Sequence, residues 1–283
     1  MRGSISTPFW RVPPKRAPNS SSKWWTVSLA ENEIVLSKKL LRIVGRTNAK
    51  YRLIGEGDRV MLGLSGGKDS LTLAHILRYR QKVVPFDFEF LAVTIDYGMG
   101  EDFSELITHC KKYGIPHKII KTDIYETAQE KIRENSSYCS FFSRMRRGAL
   151  YRAALEEGFT TVALGHHLDD AAESFFMNFL YNGALRSMPP LYRAENGLLV
   201  IRPMIMVRER QLIDAALANH LPTIGDEACP GMRFDVKAPY ARAKVKALLH
   251  QLEQENRQLF VSLKSAFEHI HESSFFDPEK LRR

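Results

Sequence analysis

A short run of glycine and polar residues, Ser65–Ser70, directly follows an apolar segment that ends at Leu64. Glycines let backbone amides approach a phosphate closely, and a helix beginning near Asp69 would point its free amides and positive dipole end at the same anion. The Lys68 ammonium adds a charge, and the two serine hydroxyls add donors. The run predicts a phosphate-binding loop, whose expected ligand-binding residues are Ser65, Gly66, Gly67, Lys68, Asp69 and Ser70.

The spacing of this loop excludes two other phosphate-binding motifs. A Walker A sequence needs a glycine where Leu62 stands, and Ser or Thr directly after the lysine, where Asp69 stands. The dinucleotide fingerprint fails because Gly63, Gly66 and Gly67 are wrongly spaced. A glycine-rich turn without a ligand is the simplest alternative, but a lysine and an aspartate in such a turn have little packing value.

The loop resembles the SGGxDS loop of the PP-loop, or N-type, ATP pyrophosphatases. That resemblance implies that Ser65–Ser70 holds the pyrophosphate portion of ATP. It also implies that a substrate oxygen attacks the α-phosphorus, which gives an adenylated intermediate and releases pyrophosphate. Lys68 is expected to take part in this step.

A pair of carboxylates, Asp169-Asp170, follows a predicted strand and opens a predicted helix. Both should lie near the triphosphate, where carboxylates suit Mg²⁺, and Asp169 is a candidate catalytic residue. Helix capping by aspartate is the alternative. His166 and His167 precede the pair, and histidines at a strand end are more often structural than catalytic.

Two further residues are expected beside the nucleotide. Asp96 closes the second predicted strand, where it could face ribose or adenine, although turn chemistry at Asp96-Tyr97-Gly98 explains it almost equally well. Gly165 ends the strand that leads to the carboxylate pair. We count both among the nucleotide-binding residues.

The segments between these motifs predict a Rossmann-like α/β fold of the PP-loop ATPase (HUP) type, because short β-rich runs alternate with helical stretches. We expect a parallel five-stranded sheet with helices on both faces and a ligand at the carboxyl ends of the strands. The predicted strands are Arg59–Leu64, Phe88–Asp96, His117–Lys121, Thr161–Gly165 and Leu198–Ile201. The predicted helices lie near Ser70–Gln81, Asp102–Tyr113, Ser140–Glu157, Asp169–Tyr181, Arg208–Asn219, Ala241–Leu252 and Glu255–His269.

The chain divides into four predicted parts. Residues 1–27, rich in Pro, Ser and Arg, predict a flexible basic arm. Residues 28–56 form an N-terminal helical segment, with an amphipathic helix over Glu31–Val44. Residues 57–236 are the expected ATP pyrophosphatase domain, and 237–283 a helical appendage.

The composition indicates the class of binding partner and the cellular compartment. The formal net charge is +9, and the clustered cations Arg144, Arg146 and Arg147 favour a polyanion, although a solvated basic face is the alternative. No window reaches the roughly 18 apolar residues of a membrane-spanning helix, so we expect no membrane partner. Three cysteines form no disulfide framework, which fits a reducing cytoplasm.

Further motifs narrow the resemblance to the tRNA 2-thiocytidine synthetase family, over most of the chain from about Gly57. It implies that the 2-keto oxygen of an anticodon-loop cytidine is adenylated and replaced by sulfur. It also implies RNA binding by the arginine cluster, a sulfur donor such as a cysteine desulfurase system, and leaves a homodimer open. The motifs that carry it are Ser143–Gly148, Gly165–Asp170, Met188–Pro190, and Ile201–Pro203 with Arg208-Glu209.

The cysteines depart from that family's pattern. Its members hold an iron–sulfur cluster with three thiolates, from a Cys-x-x-Cys and a later loop. Here Cys139 is present, but Phe142 takes the second position, and in the later loop Asp226 leaves only Cys229. Phenylalanine cannot ligate iron, which makes a cluster doubtful. Cys110 lies on an apolar helical stripe and is expected in the core.

Two interpretations of Cys139 and Cys229 stay open. As catalytic residues they would form a pair in which one carries a persulfide and the other resolves it. Otherwise the sulfur chemistry is lost or replaced, and both are buried incidentally. Three functions follow: a tRNA sulfurtransferase that adenylates a base, an ATP pyrophosphatase that adenylates a different acceptor, or a non-catalytic RNA- or nucleotide-binding descendant.

Overall fold

Apolar runs bounded by turns build a central sheet, seen here in a computed structural model that describes residues 34–131, 138–223, 240–274 and 276. These residues all belong to one compact unit, Asn32–Arg283. The predicted basic arm, residues 1–27, lies outside the described residues.

The sheet has six strands in the order β3-β2-β1-β4-β6-β5. All neighbours pair in parallel except β5, which is antiparallel to β6. The Rossmann-like prediction is therefore confirmed, but the strand count of five is one too low, since three residues are too few to show an alternating pattern. The strands are β1 Arg59–Gly63, β2 Glu89–Asp96, β3 His117–Lys121, β4 Thr161–Ala163, β5 Leu191–Arg193 and β6 Leu199–Ile201.

Helices follow the strands and cover both faces of the sheet. A helix that the sequence analysis missed, α4, follows β3. The helices are α1 Lys38–Tyr51, α2 Lys68–Val83, α3 Ser104–Lys112, α4 Ile124–Lys131, α5 Tyr138–Glu156, α6 Leu168–Tyr181, α7 Glu209–Ala218, α8 Tyr240–Glu255 and α9 Leu259–Glu268. A short 3-10 turn covers Glu272–Ser274.

The first helix begins later than expected. The predicted span Glu31–Val44 is wrong at both ends, because α1 begins at Lys38 and continues to Tyr51. Ser37 decides the start: its side chain accepts a hydrogen bond from the Leu40 amide at 3.2 Å, which satisfies a free donor of the first turn.

The core lies on both faces of β1. Leu62 packs with α1, α2 and α3, whereas Met61 faces α5 and β4, as the alternation of side chains along a strand requires. Cys110 is 1% exposed in the first of these clusters, so its predicted burial is confirmed. Among the described residues, no helix is long and apolar enough to cross a membrane.

The last helices pack against α6. Val245 and Leu249 of α8 and Phe260 of α9 form a buried cluster with Leu168 and Ala172. This contact sets the polar face of α8 beside the start of α6 and therefore beside the carboxyl edge of the sheet.

Candidate active site

The loop Ser65–Ser70 connects β1 to α2 at the carboxyl edge of the sheet. The Ser65 amide donates to Ser70 Oγ at 3.2 Å, and Ser70 Oγ donates to the Gly67 carbonyl at 3.0 Å. Gly66 has φ of +81°, a conformation that favours glycine. Gly67 precedes the helix and provides no side-chain cap, so the first amides of α2 are available to an anion.

Gly165 packs directly against the start of α2. A Cβ at this position would lie 3.2 Å from the Ser70 amide nitrogen and 3.3 Å from the Asp69 carbonyl carbon. Any larger residue would push the end of β4 away from the loop. Gly165 therefore lies where a nucleotide-binding residue was predicted, and the structure explains it by backbone packing.

Lys68 lies between two carboxylates. Its Nζ is 3.2 Å from Asp69 Oδ2 and 3.3 Å from Glu209 Oε1, and Glu209 also pairs with Lys246 of α8 at 3.1 Å. Burial alone would lower the pKa of Lys68, but Asp69 and Glu209 together raise it. The ammonium is thus charged and positioned at the loop.

Asp169 is paired with an arginine. Its carboxylate accepts from Arg208 Nε at 3.1 Å and from the Glu209 amide at 2.7 Å. Arg208 is itself held by a bidentate pair with Glu253 of α8, at 2.7 and 2.8 Å, and its guanidinium lies 3.3 Å from the centroid of the Phe260 ring. Asp169 is therefore fixed and neutralised.

Asp170 is paired in the same way, and it also caps α6. Its Oδ1 accepts from Arg242 of α8 at 2.7 Å, and its Oδ2 from the His167 amide at 3.0 Å. Burial would raise the pKa of Asp170, but His167, His166 and Arg242 hold it below its usual range. The helix-capping alternative thus describes one of the contacts of Asp170.

A free acceptor for a cation lies one residue after the loop lysine. Asp69 Oδ1 is buried and has no hydrogen-bond partner among the described residues. Burial raises the pKa of Asp69, which Lys68 and His167 only partly offset. Within the same residues, no three His, Cys, Asp or Glu side chains form a metal-binding group. Since Mg²⁺ in phosphate sites takes only one or two carboxylates, the residues fit it.

Asp96 lies at the end of β2 and organises a turn. Its Oδ1 accepts from the Gly98 amide at 2.8 Å, and Gly98 has φ of +81°. The turn interpretation therefore accounts for one carboxylate oxygen, and the nucleotide-binding role stays a prediction.

The arginine cluster lies on the first half of α5. Arg144 and Arg147 are exposed, and Arg146 is half-buried and close enough to His166 to depress its pKa. Phe142 on the same helix is 3% exposed and contacts Tyr97 edge-to-face, with ring centroids 5.8 Å apart. Phe142 is therefore a packing residue in this part of the edge.

The remaining predicted residues cannot be placed. The backbone of Cys139 belongs to α5, but its side chain, like all of Asp226 and Cys229, lies outside the described residues. Conversely, the sequence did not predict three site residues that α8 contributes at the carboxyl edge of the sheet, Arg242, Lys246 and Glu253. A charged helical face carries no signal that distinguishes these contacts from solvated charges.

Known proteins share these features. Residues 36–249 match the family model of the PP-loop domain. The tRNA-cytidine(32) 2-sulfurtransferase of Geobacter metallireducens is 39% identical over 87% of this chain and 95% of its own length. The enzyme of the same name from Anaeromyxobacter sp. (strain Fw109-5) is 37% identical over 86% of this chain and 79% of its own.

A solved structure agrees with the sequence relatives. The U34-tRNA thiolase NcsA from Methanococcus maripaludis, solved with its 4Fe–4S cluster, superposes with a TM-score of 0.66 at 25% identity, covering 87% of this chain and 84% of that one. The resemblance found from the motifs is confirmed. This chain belongs to the PP-loop domain family and, within it, to the family of the tRNA-cytidine(32) 2-sulfurtransferases.

Proposed function

We propose that this chain is an ATP-dependent tRNA-modifying enzyme that adenylates the 2-carbonyl of a cytidine and replaces its oxygen with sulfur. The observation that carries this proposal is the loop Ser65–Ser70. In a chain of this family, it combines an uncapped helix start with a fixed lysine at the carboxyl edge of the sheet. We place the reaction in the cytoplasm, with tRNA as the partner.

The first step is attack at the α-phosphorus of ATP. The loop amides and Lys68 hold the pyrophosphate portion, with Gly165 and Asp96 beside the nucleotide. The base oxygen forms a bond to the α-phosphorus while the bond to the bridging oxygen of the β-phosphate breaks, and pyrophosphate leaves with that electron pair. Amides and an ammonium directed at the leaving charge stabilise it as it develops.

Magnesium would neutralise part of the triphosphate charge. Asp69 Oδ1 is a free acceptor, while Asp169 and Asp170 become ligands only by exchanging Arg208 and Arg242 for the metal. Asp169 is also our candidate for orienting the base. The exposed Arg144 and Arg147, with Arg146, suit the phosphates of the RNA strand.

The second step is sulfur transfer through Cys139 and Cys229. A persulfide on one cysteine attacks C2 of the base, and AMP leaves with the former carbonyl oxygen. The other thiolate then attacks the cysteine sulfur of the resulting disulfide, which releases the thiolated base and forms a Cys139–Cys229 disulfide. A thiol reductant and a cysteine desulfurase system must then restore the persulfide.

We propose that this chain works without an iron–sulfur cluster. The thiolase neighbour carries a 4Fe–4S cluster, whereas the position predicted for a ligand here is Phe142, buried at 3% exposure. Iron and acid-labile sulfide in anaerobically purified protein should be far below one cluster per chain. Four irons per chain would overturn this part of the proposal.

Deleting the gene tests the function as a whole. Mass spectrometry of tRNA nucleosides should show that 2-thiocytidine disappears and returns with the intact gene. Unchanged 2-thiocytidine would refute the sulfurtransferase proposal.

Sedimentation of the purified protein, with and without tRNA, decides whether a homodimer forms.

The altered cysteine pattern favours one second candidate, adenylation of a different acceptor without sulfur transfer. A Cys139→Ser, Cys229→Ser double variant separates the two. The sulfurtransferase should release pyrophosphate with tRNA but produce no thiolated base. If the double variant instead kept the full activity of the natural protein, sulfur transfer through these cysteines would be excluded and the second candidate supported.

A further inference from the structure

His166 lies three residues past the end of β4, directly after Gly165, and its two ring nitrogens have different environments. Nδ1 lies 3.2 Å from Nε of Arg202. A guanidinium is always protonated in proteins and offers only donors. Nδ1 must therefore accept this hydrogen bond, and in the neutral ring the proton has to reside on Nε2.

Arg202 has no freedom to leave this contact. It is 6% exposed, its Nη1 donates to the Pro189 carbonyl at 2.8 Å, and its guanidinium carbon lies 5.2 Å from the centroid of the Tyr192 ring. The Tyr192 hydroxyl is in turn 2.9 Å from that of Tyr151 on α5. The tautomer of His166 is thus set by a guanidinium that is itself held on several sides.

The ring is also neutral at physiological pH. Burial lowers the pKa of His166 to about 4, and Arg202, Arg146 and Arg242 add to this effect, while Asp170 opposes it. His166 therefore provides a neutral N–H donor rather than an imidazolium.

Within the described residues, no group accepts a hydrogen bond from Nε2 of the half-buried His166. Its neighbour Gly165 lies against the backbone of Asp69 and Ser70 at the start of α2, where a phosphate would bind. Arg146 of α5 and Arg242 of α8 add to the positive charge of Arg202 near the ring.

We propose that Nε2–H of His166 donates a hydrogen bond to a phosphate oxygen of ATP as the α-phosphorus is attacked, and that Arg202 is the positioning residue that fixes this tautomer. The inference rests on the proposed function and adds a catalytic residue to it. A preorganised neutral donor stabilises the charge that accumulates on the phosphate oxygens without needing a proton transfer.

Kinetics of pyrophosphate release with ATP and tRNA test the donor. His166→Phe should lower kcat roughly 30- to 100-fold while changing the KM for ATP by less than about threefold, somewhat less than the loss of an oxyanion-hole donor. His166→Gln, whose amide nitrogen is also a donor, should recover activity to within about tenfold of the natural protein. The proposal would be overturned if His166→Phe had the same kcat as the natural protein, or if His166→Phe and His166→Gln had the same kcat.

A histidine elsewhere serves as the matched control. His250 lies exposed on α8, where its Nε2 is 3.0 Å from Gln254 Nε2, and His250→Phe should leave kcat unchanged. Melting temperatures of the variants, measured first, show whether each one is folded.

The positioning role has a readout that needs no substrate. In protein labelled with ¹⁵N-histidine, the His166 signals, assigned by their loss in His166→Gln, should show an unprotonated Nδ1 and a protonated Nε2. Arg202→Met should give a mixture of the two tautomers and a lower kcat. Arg202→Lys should partly restore both the Nε2-protonated tautomer and kcat. A protonated Nδ1 in the natural protein would refute the tautomer. Failure of the natural protein to release pyrophosphate would instead count against the proposed function.

Discussion

The two halves of the carboxyl edge differ in what determines their chemistry. The loop half is built from backbone geometry: Gly66 at positive φ, an uncapped helix start and Gly165 in contact with the Ser70 amide. The α5 half depends on which side chain occupies each helical position, and Phe142 packs there against Tyr97. A loop of the first kind tolerates little change, whereas a helix can exchange a ligand for a core residue without altering its backbone.

The largest effect should come from the loop half. Lys68→Ala removes the cation held between Asp69 and Glu209, and we expect ATP-dependent pyrophosphate release to fall on the order of a thousandfold. Lys246→Ala removes another cation from Glu209 without touching the loop, and should cost less than about tenfold. Equal losses in the two variants would show that net charge, rather than loop geometry, matters.

The next effect concerns the contact between the loop half and α8. Arg208→Ala leaves Asp169 and Glu253 without their shared partner and removes the stacking on Phe260. We expect a loss of about 2 kcal/mol in the free energy of unfolding, measured by urea denaturation, because these half-buried pairs lie between exposed and fully buried ones. A loss below about 0.5 kcal/mol would mean that the pairs act as exposed ones.

Phe142→Cys tests the α5 half directly. Replacing a buried aromatic ring by a thiol should cost about 2.5 kcal/mol of unfolding free energy, whereas Phe142→Leu should cost less than about 1.5 kcal/mol. The same variant restores the Cys-x-x-Cys spacing with Cys139. Bound iron should therefore rise in the Cys variant and not in the Leu variant. If the Cys and Leu variants both bound only as much iron as the natural protein, the side chain at position 142 would not control iron binding in the α5 half.

A pair of histidines behind the loop, His75 of α2 and His109 of α3, gives an effect that is smallest near neutral pH and grows as the pH falls. Nε2 of His75 and Nε2 of His109 lie 2.8 Å apart, and burial lowers their pKa values to about 3 and about 4. Because the unfolded chain binds protons below about pH 6.5 and the folded one does not, stability falls as the pH drops from there toward 4.

The free energy of unfolding should change with pH by up to about 1.4 kcal/mol per pH unit for each histidine. Urea denaturation between pH 7 and pH 5 should show a shallower pH dependence for a His75→Leu, His109→Leu double variant. An unchanged slope would show that other groups control it. Neither histidine belongs to the two halves of the edge. We therefore expect the double variant to release pyrophosphate at pH 7 at the rate of the natural protein, and a lower rate would show that α2 transmits the substitution to the loop.

The sequence alone determined the parts of the molecule that depend on local chemistry. Glycine and lysine spacing identified the loop, and alternating apolar runs identified a parallel sheet. The family resemblance marked Phe142 as a position where a ligand was expected, and that expectation stays a prediction. Strand β5 and helix α4 were missed because short or half-exposed elements show weak periodicity. The start of α1 was misplaced because a single cap, Ser37, decides it.

Only the tertiary structure decided which charges meet. Arg242, Lys246 and Glu253 lie more than thirty residues from their partners, on a helix whose sequence resembles any solvated charged face. The tautomer of His166 likewise depends on Arg202, 36 positions away. Long-range contacts of this kind follow from how α8 and β6 pack against α6 and β4, and packing is a property of the whole fold rather than of a local pattern.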